Sequence, residues 1–412
     1  MVSDVLAGAD PDASDSPPVL ELHGELEEFS RAAPLDVTLR LAREIVTDPT
    51  YPTVRAWTRS GRSAVGCFPV YTPQELLHSI GLLPVALHGG GENVEISHAD
   101  AALGSFLCSI SKSTLELALT ARLAPFRGFV FPYICDVSRN LEGIFARVLP
   151  ETPTYMLHLP QNFRSGATVR FLVSEYRRLA ERLERAGARP YAPGPLAASI
   201  ELFNAQRSRI AELAARRRAH PGQISLAESY LLRRLGGLLP REIHVPLLDR
   251  VLAELSERPV RSRDAIRVAL VGPFCEQPSL DLIDLLEQVG CEVVDDELLP
   301  LYGWYGRIDP SGDPLEALAR AYVESPVDIG VRAAPSTKGG AILDRVEAAK
   351  AQGVIFLTAK FCEPALEDIV LYRKALDRER IPYLHLEFEE RSTSYEQARL
   401  QLETFVESIL FD

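Results

Sequence analysis

The chain has 412 residues, 46% hydrophobic and 25% charged, with 44 Lys and Arg against 57 Asp and Glu. That balance is ordinary for a soluble globular protein of two or three domains, and a net charge of −13 argues against nucleic acid, whose phosphates call for clustered cations. No segment approaches the roughly eighteen uncharged apolar residues of a membrane helix, so no membrane partner is expected.

Residues 1–20 are rich in Asp, Ser, Ala and Pro and lack the basic start and apolar run of a signal peptide. They read as a disordered tail, and the chain is expected in the cytoplasm. Residues 21–165 read as an N-terminal α/β domain with a helical start. Ser63 to Cys67 is a strand pattern ending in a loop. Thr72-Pro73-Gln74-Glu75 has the form of a capping box before Leu76-Leu77. Leu82 to Leu87 is the next strand, and Gly89-Gly90-Gly91 follows it as a turn that backbone could bring close to a ligand. Leu103 to Asp136 places Cys108 before a helical run. Gly128 to Pro132 is a short strand, Cys135-Asp136 its loop, and Val137 to Val148 has helical spacing.

Residues 166–260 read as a helical region, with segments Val169–Ala186, Leu196–Arg218 and Leu226–Leu235 between Pro- and Gly-bearing turns. Arg216-Arg217-Arg218 reads as a solvated face, and Asn204 and Arg207 as a polar one. Residues 261–412 read as a C-terminal α/β domain. Ile266 to Val271 is a strand, Gly272 to Cys275 its loop and Leu280 to Val289 its helix. Cys291 opens the next strand, at the end away from the ligand-binding edge. Gly353 to Thr358 is a strand, Lys360 to Pro364 a loop carrying Cys362, and Ala365 to Leu376 a helix leading to the strand at Ile381 to Phe388.

Six cysteines with no CxxC pair identify neither a zinc site nor an iron–sulfur site by local spacing. Free cysteine is also among the most buried residue types, so Cys108 and Cys135 read first as core residues. Cys135 and Cys362, each in a loop beyond a strand, point instead to the edge where open α/β sheets bind ligands.

The phrases FLCSISKS, YICDVSRNLEG and KFCEP, with GCFPVYTPQELLHSIGLLP before them, resemble the core subunits of benzoyl-CoA reductase and 2-hydroxyacyl-CoA dehydratase. The resemblance runs from about Gly66 to Glu389. PQNF at Pro160, GPFCEQPS at Gly272 and YGWYGRIDPSGDPLEAL at Tyr302 are similar to the reductase branch. It implies two Rossmann-like α/β domains joined by a helical region, with a [4Fe–4S] cluster in the cleft between them. Residue by residue, it implies Cys108, Cys135 and Cys362 as cluster ligands, the fourth iron site being left to another ligand. Cys67 and Cys275 lie in loops of similar position and are expected near the cluster without binding it. Glu75 is a candidate for contact with substrate as well as a helix-start residue. His158, His244 and His385 are candidates for proton delivery because histidine titrates near neutrality. The implied partners are a homologous core subunit, ATP-hydrolysing activator subunits and ferredoxin, and the implied substrate is a CoA thioester. The chain itself lacks a GxxxxGK[ST] phosphate loop, so ATP hydrolysis is expected elsewhere.

Overall fold

A computed structural model describes residues 31–411, apart from 164, 261–263, 273, 300–305, 325–334, 390–391 and 393. The expected tail at 1–20 and the start of the YGWYGRIDP phrase lie outside the described residues. In the first part, helices α1 (Leu35–Thr47) and α2 (Pro52–Arg59) lead to strand β1 (Ser63–Cys67). Then come α3 (Gln74–Ser79), β2 (Leu82–Ala86), α4 (Ser97–Ala102), α5 (Ser109–Leu119), β3 (Phe129–Pro132), α6 (Asp136–Val148) and β4 (Thr154–Leu157). The middle is helical: α7 (Thr168–Arg185), α8 (Pro193–Ala219), α9 (Leu226–Leu235) and α10 (Arg241–Glu257). The last part runs β5 (Ile266–Val271), α11 (Leu280–Gln288), β6 (Cys291–Asp296), α12 (Pro314–Glu324), α13 (Pro335–Ala349), β7 (Gly353–Ala359), α14 (Glu363–Glu379), β8 (Tyr383–Phe388) and α15 (Glu396–Leu410).

The strands form two four-stranded sheets, β2-β1-β3-β4 and β6-β5-β7-β8, and every pairing is parallel. The continuous apolar runs explain this, because a parallel strand covered on both faces has no polar side. Phe129, Val130 and Phe131 are buried, as are Val354, Ile355, Phe356 and Leu357. Both sheets use one strand order, in which the chain reverses direction between their two central strands. Such a switch point opens a crevice at the carboxyl ends, between β1 and β3 in one sheet and between β5 and β7 in the other.

The helical middle ties the two sheets together. Arg217 on α8 is buried against the Val293 carbonyl and Asp296 of β6, and Arg233 on α9 reaches the same Asp296 carboxylate at 2.8 Å. Burial alone would raise the Asp296 carboxyl, but the two guanidiniums, Arg233 first, hold it below the usual carboxylate range. The expectation that 216–218 is a solvated face is therefore corrected at its central residue. Arg217 is 2% exposed because the buried carboxylate of Asp296 in β6 needs a partner.

Asn204 and Arg207 are likewise not a polar surface. Asn204 is buried and exchanges hydrogen bonds with the Ile308 amide and carbonyl, while Arg207 donates to Glu75. The capping box also gives way: α3 begins at Gln74, with Pro73 at its N-cap and no side-chain cap. Arg207 takes the Glu75 carboxylate at 2.6 Å, so it does not reach back to the helix start.

Candidate metal centre at the paired switch points

Four cysteines stand at the carboxyl edges of the two sheets. Cys108 is the N-cap of α5, Cys135 of α6 and Cys362 of α14. Cys275 follows β5 by a short loop. The Cys135 sulfur accepts from the Ser138 amide at 3.5 Å, and Cys108 lies 3.6 Å from the Ser111 hydroxyl. Three thiols thus sit where helix N-termini favour negative charge, the setting in which thiolates are stabilised.

Burial works the other way. It pushes the Cys108 and Cys362 thiols up to about 12, and raises Cys135 against the opposing amides of Ser138 and Val137. Cys275 is raised well above its ordinary value, first by burial and then by the sulfurs of Cys362, Cys135 and Cys108. The four thiols are therefore electrostatic neighbours, drawn from both halves of the chain. Cys67 is not among them. Burial raises it to about 12, its charged neighbour is Arg241, and its sulfur points to the Val65 carbonyl. Cys291 is buried at the start of β6, and burial alone raises it.

The surroundings lock this seam. Glu276, 2% exposed and adjacent to Cys275, accepts from the Ile110 amide in the first turn of α5 at 3.1 Å. A carboxylate of the second half thereby caps the helix that presents Cys108 in the first. Val70 and Tyr71 after β1, and Phe361 before Cys362, have positive φ of 72°, 60° and 65°. Left-handed backbone at a β-branched and two aromatic residues costs energy, and such strain gathers at functional sites. The exposed Phe106 ring meets the Phe361 ring edge-on at 5.7 Å, forming an apolar lip beside Cys108 and Cys362.

No three His, Cys, Asp or Glu side chains among the described residues stand close enough to share one metal ion. A cubane asks for less, because each of its irons takes its own thiolate. A set of soft thiols without histidine or a closely spaced pair fits iron–sulfur ligation better than a structural zinc site.

The other expected residues lie as follows. Glu75 is 3% exposed and engaged by Arg207. His244 is buried in α10, accepting at Nδ1 from the Gln206 amide and donating from Nε2 to the Leu232 carbonyl. Burial lowers its pKa to about 3, so it is a neutral structural group. His385 bonds the Thr358 hydroxyl within the second sheet. His158 lies exposed just beyond β4, its ring 6.3 Å from that of Tyr133.

Reading the sequence missed Glu276 and His88. His88 is buried just past β2, pushed well below its ordinary pKa by burial and by Arg234, with the Cys275 backbone beside it. It lines a recess of about 250 Å³ with Gly89, Gly90, Gly91, Arg43 and Arg234. The strand-end position that singled out the cysteines applies equally to His88.

The chain matches the family model described as 2-hydroxyglutaryl-CoA dehydratase, D-component, over residues 69–409. It is 33% identical over 367 residues to a benzoyl-CoA reductase subunit of Thauera aromatica, covering 88% of this chain and 95% of that one. It is 26% identical over 369 residues to the (R)-phenyllactyl-CoA dehydratase beta subunit of Clostridium sporogenes, covering 89% and 97%. The beta subunit of (R)-2-hydroxyglutaryl-CoA dehydratase from Acidaminococcus fermentans shares 23% over 355 residues, 85% and 93% of the two chains. With its matched region holding seven of the eight strands and all four edge cysteines, the chain belongs to the family of 2-hydroxyglutaryl-CoA dehydratase D-components and their benzoyl-CoA reductase relatives.

Proposed function

We propose that the chain is a core subunit of an ATP-dependent benzoyl-CoA reductase, with Cys108, Cys135 and Cys362 holding a [4Fe–4S] cluster. The observation that carries this reading is the higher identity to the reductase subunit, 33%, against 26% or less for the dehydratase subunits, along nearly the whole chain. When bound, the cluster supplies the low-potential electrons that reduce an aromatic thioester to a cyclohexadiene carbonyl-CoA. The chain's own residues do the rest. Helix N-termini at three thiols stabilise the charge of the ligated sulfurs. The apolar packing around Cys275 keeps water from them, which tunes potential. The recess beside His88, with two arginines and a glycine turn, has room for one end of a CoA thioester. Neutral His88 has a ring N–H to offer a thioester carbonyl.

This reading carries partners with it. A homologous core subunit completes the catalytic unit, and separate ATP-hydrolysing activator subunits take electrons from ferredoxin. The complex works in the cytoplasm. No helix among the described residues is long and apolar enough to cross a membrane.

The test is the re-oxidation of the reduced, anaerobically purified complex. Benzoyl-CoA should re-oxidise it with ring reduction, and a 2-hydroxyacyl-CoA should not. The opposite preference would support the second reading, a subunit of a 2-hydroxyacyl-CoA dehydratase acting by radical dehydration, which the names of the three other relatives favour. Re-oxidation by neither would leave a non-catalytic electron-transfer subunit. The chain without activators should hydrolyse no ATP.

A further inference from the structure

We propose that the recess at His88 is a binding site for a phosphate group, built from the glycine turn after β2, two arginines and the start of α11. The inference stands apart from the cluster, so it can fail while the reductase reading holds, and the reverse.

The observation that carries it is a buried side chain left unsatisfied. His88 is 6% exposed, and neither of its ring nitrogens has a hydrogen-bond partner among the described residues. The Cys275 backbone lies beside the ring without a bond of ordinary geometry. An unpaired buried polar group is costly to keep and calls for a water, an ion or a ligand.

The turn that follows has the backbone of an anion nest. Gly89 and Gly91 have φ of +73° and +61°, and Gly90 between them has φ −112° and ψ −1°. Alternation between left- and right-handed backbone turns successive N–H groups into one concavity, an arrangement that holds phosphates. Space also fixes the middle residue, since a Cβ on Gly90 would collide with Val94 Cγ2.

Across the recess α11 begins. Ser279 caps it, accepting from the Leu282 amide at 3.2 Å, and Leu280 and Asp281 of its first turn line the recess. A helix start offers amides and a positive dipole end to an anion. Two guanidiniums complete the set. Arg234 on α9 is steadied by the Tyr230 hydroxyl at 2.5 Å and acts on His88 as a like charge. Half-exposed Arg43 lines the recess from α1.

Asp48 and Asp281 oppose an anion, but Asp48 is turned to its own loop, its Oδ1 accepting from the Thr50 amide and hydroxyl at 2.8 and 2.6 Å. Nor do these carboxylates and His88 make a metal site, for no three such side chains among the described residues can share an ion. Donors therefore outnumber acceptors, which selects an oxyanion. A charged phosphate oxygen is also a stronger acceptor for the His88 N–H than a carbonyl is. The recess, about 250 Å³, is larger than free phosphate needs, so a phosphate ester fits as well.

The experiment titrates the full-length chain, purified anaerobically, with inorganic phosphate, with coenzyme A and with pantetheine, which lacks every phosphate. Calorimetry gives the affinities, and NMR of the chain labelled at histidine Cε1 gives the place. Phosphate should bind and move one histidine signal, the one absent from His88→Gln. Arg43→Gln, at a half-exposed position that does not threaten the fold, should weaken phosphate binding about tenfold. His88→Leu should abolish it, whereas His88→Gln, which keeps a donor, should retain most of it. Competition between phosphate and coenzyme A would make the coenzyme the carrier of the group. Phosphate binding that coenzyme A leaves unchanged would assign the site to a free phosphate or another ester. The inference is overturned if neither ligand moves the His88 signal, if pantetheine binds as tightly as coenzyme A, or if Arg43→Gln and His88→Leu both keep the parent's affinity. A complex that binds phosphate at His88 yet reduces no aromatic thioester would sink the reductase reading alone.

Discussion

Breaking the buried ion pair between Arg207 and Glu75 should destabilise the chain more than any surface pair could. The two charges are 2.6 Å apart and their side chains are 11% and 3% exposed. At an effective dielectric constant of about 20 their attraction is roughly 6 kcal/mol, offset by several kcal/mol of lost hydration. Arg207→Met removes the attraction but not the penalty, leaving the Glu75 carboxylate buried without its cation. The expected loss is about 3–5 kcal/mol. Asn204 loses the Arg207 contact but keeps both bonds to Ile308, so the damage stays centred on Glu75. Adding Glu75→Gln to Arg207→Met should recover most of that loss, because the double variant buries no charge. Equilibrium urea unfolding of the four proteins, followed by circular dichroism, gives the coupling energy. A loss below about 1 kcal/mol for Arg207→Met, or no recovery in the double variant, would refute the structural account of Glu75. Glu75 would then return as a candidate for contact with substrate, to be shown by Glu75→Gln losing turnover without losing stability.

Three further outcomes follow from other sites. His244 has its pKa lowered to about 3 by burial, so the native state binds fewer protons than the unfolded one between there and about 6.5. Its contribution is intact above pH 6.5 and is lost as pH falls towards 3, by on the order of 5 kcal/mol at the end, and His244→Gln should flatten this acid limb in pH-dependent urea midpoints. Gly272→Ala forces a Cβ into β7 backbone at an unfavourable φ, and should cost about 1–3 kcal/mol and lower iron incorporation, measured by thermal unfolding and iron assay. Cys291→Ala removes a buried sulfur far from the seam, costing about 1 kcal/mol with iron stoichiometry unchanged.

The strands were legible where apolar runs are short and bounded by glycine or proline, as at Ile266–Val271 and Gly353–Ala359. The helix expected at Leu226–Leu235 is matched to the residue, and there Ser225 and Glu228 do form a capping box. The same signal misled at Thr72–Glu75, since a buried carboxylate answers to its cation before its helix. Helix α10 was the least legible of its region, with Pro246 inside it where a break is the usual reading. The order of strands could not be read at all, because parallel pairing joins segments distant in sequence. That order is also what draws the edge cysteines together. Their convergence was therefore available from the family resemblance and from topology, and never from spacing. Arg217 shows the same limit: three consecutive arginines look alike in sequence, and only the fold tells which faces Asp296.

The division of the seam between two sheets of one strand order has a consequence for biosynthesis. Cys108 and Cys135 leave the ribosome with the first sheet, whereas Cys275 and Cys362 arrive with the second. Under the proposed ligation, no cluster can be completed until the loop before α14 has been made, so loading reports that synthesis is finished. The bound metal then closes a very long loop, yet each doubling of loop length adds only about 0.6 kcal/mol to the closure cost. Its binding free energy is added to the docking of one half on the other, through the same seam that Glu276 and Arg217 already span. A chain stripped of iron should therefore loosen first between its halves, with each sheet left intact.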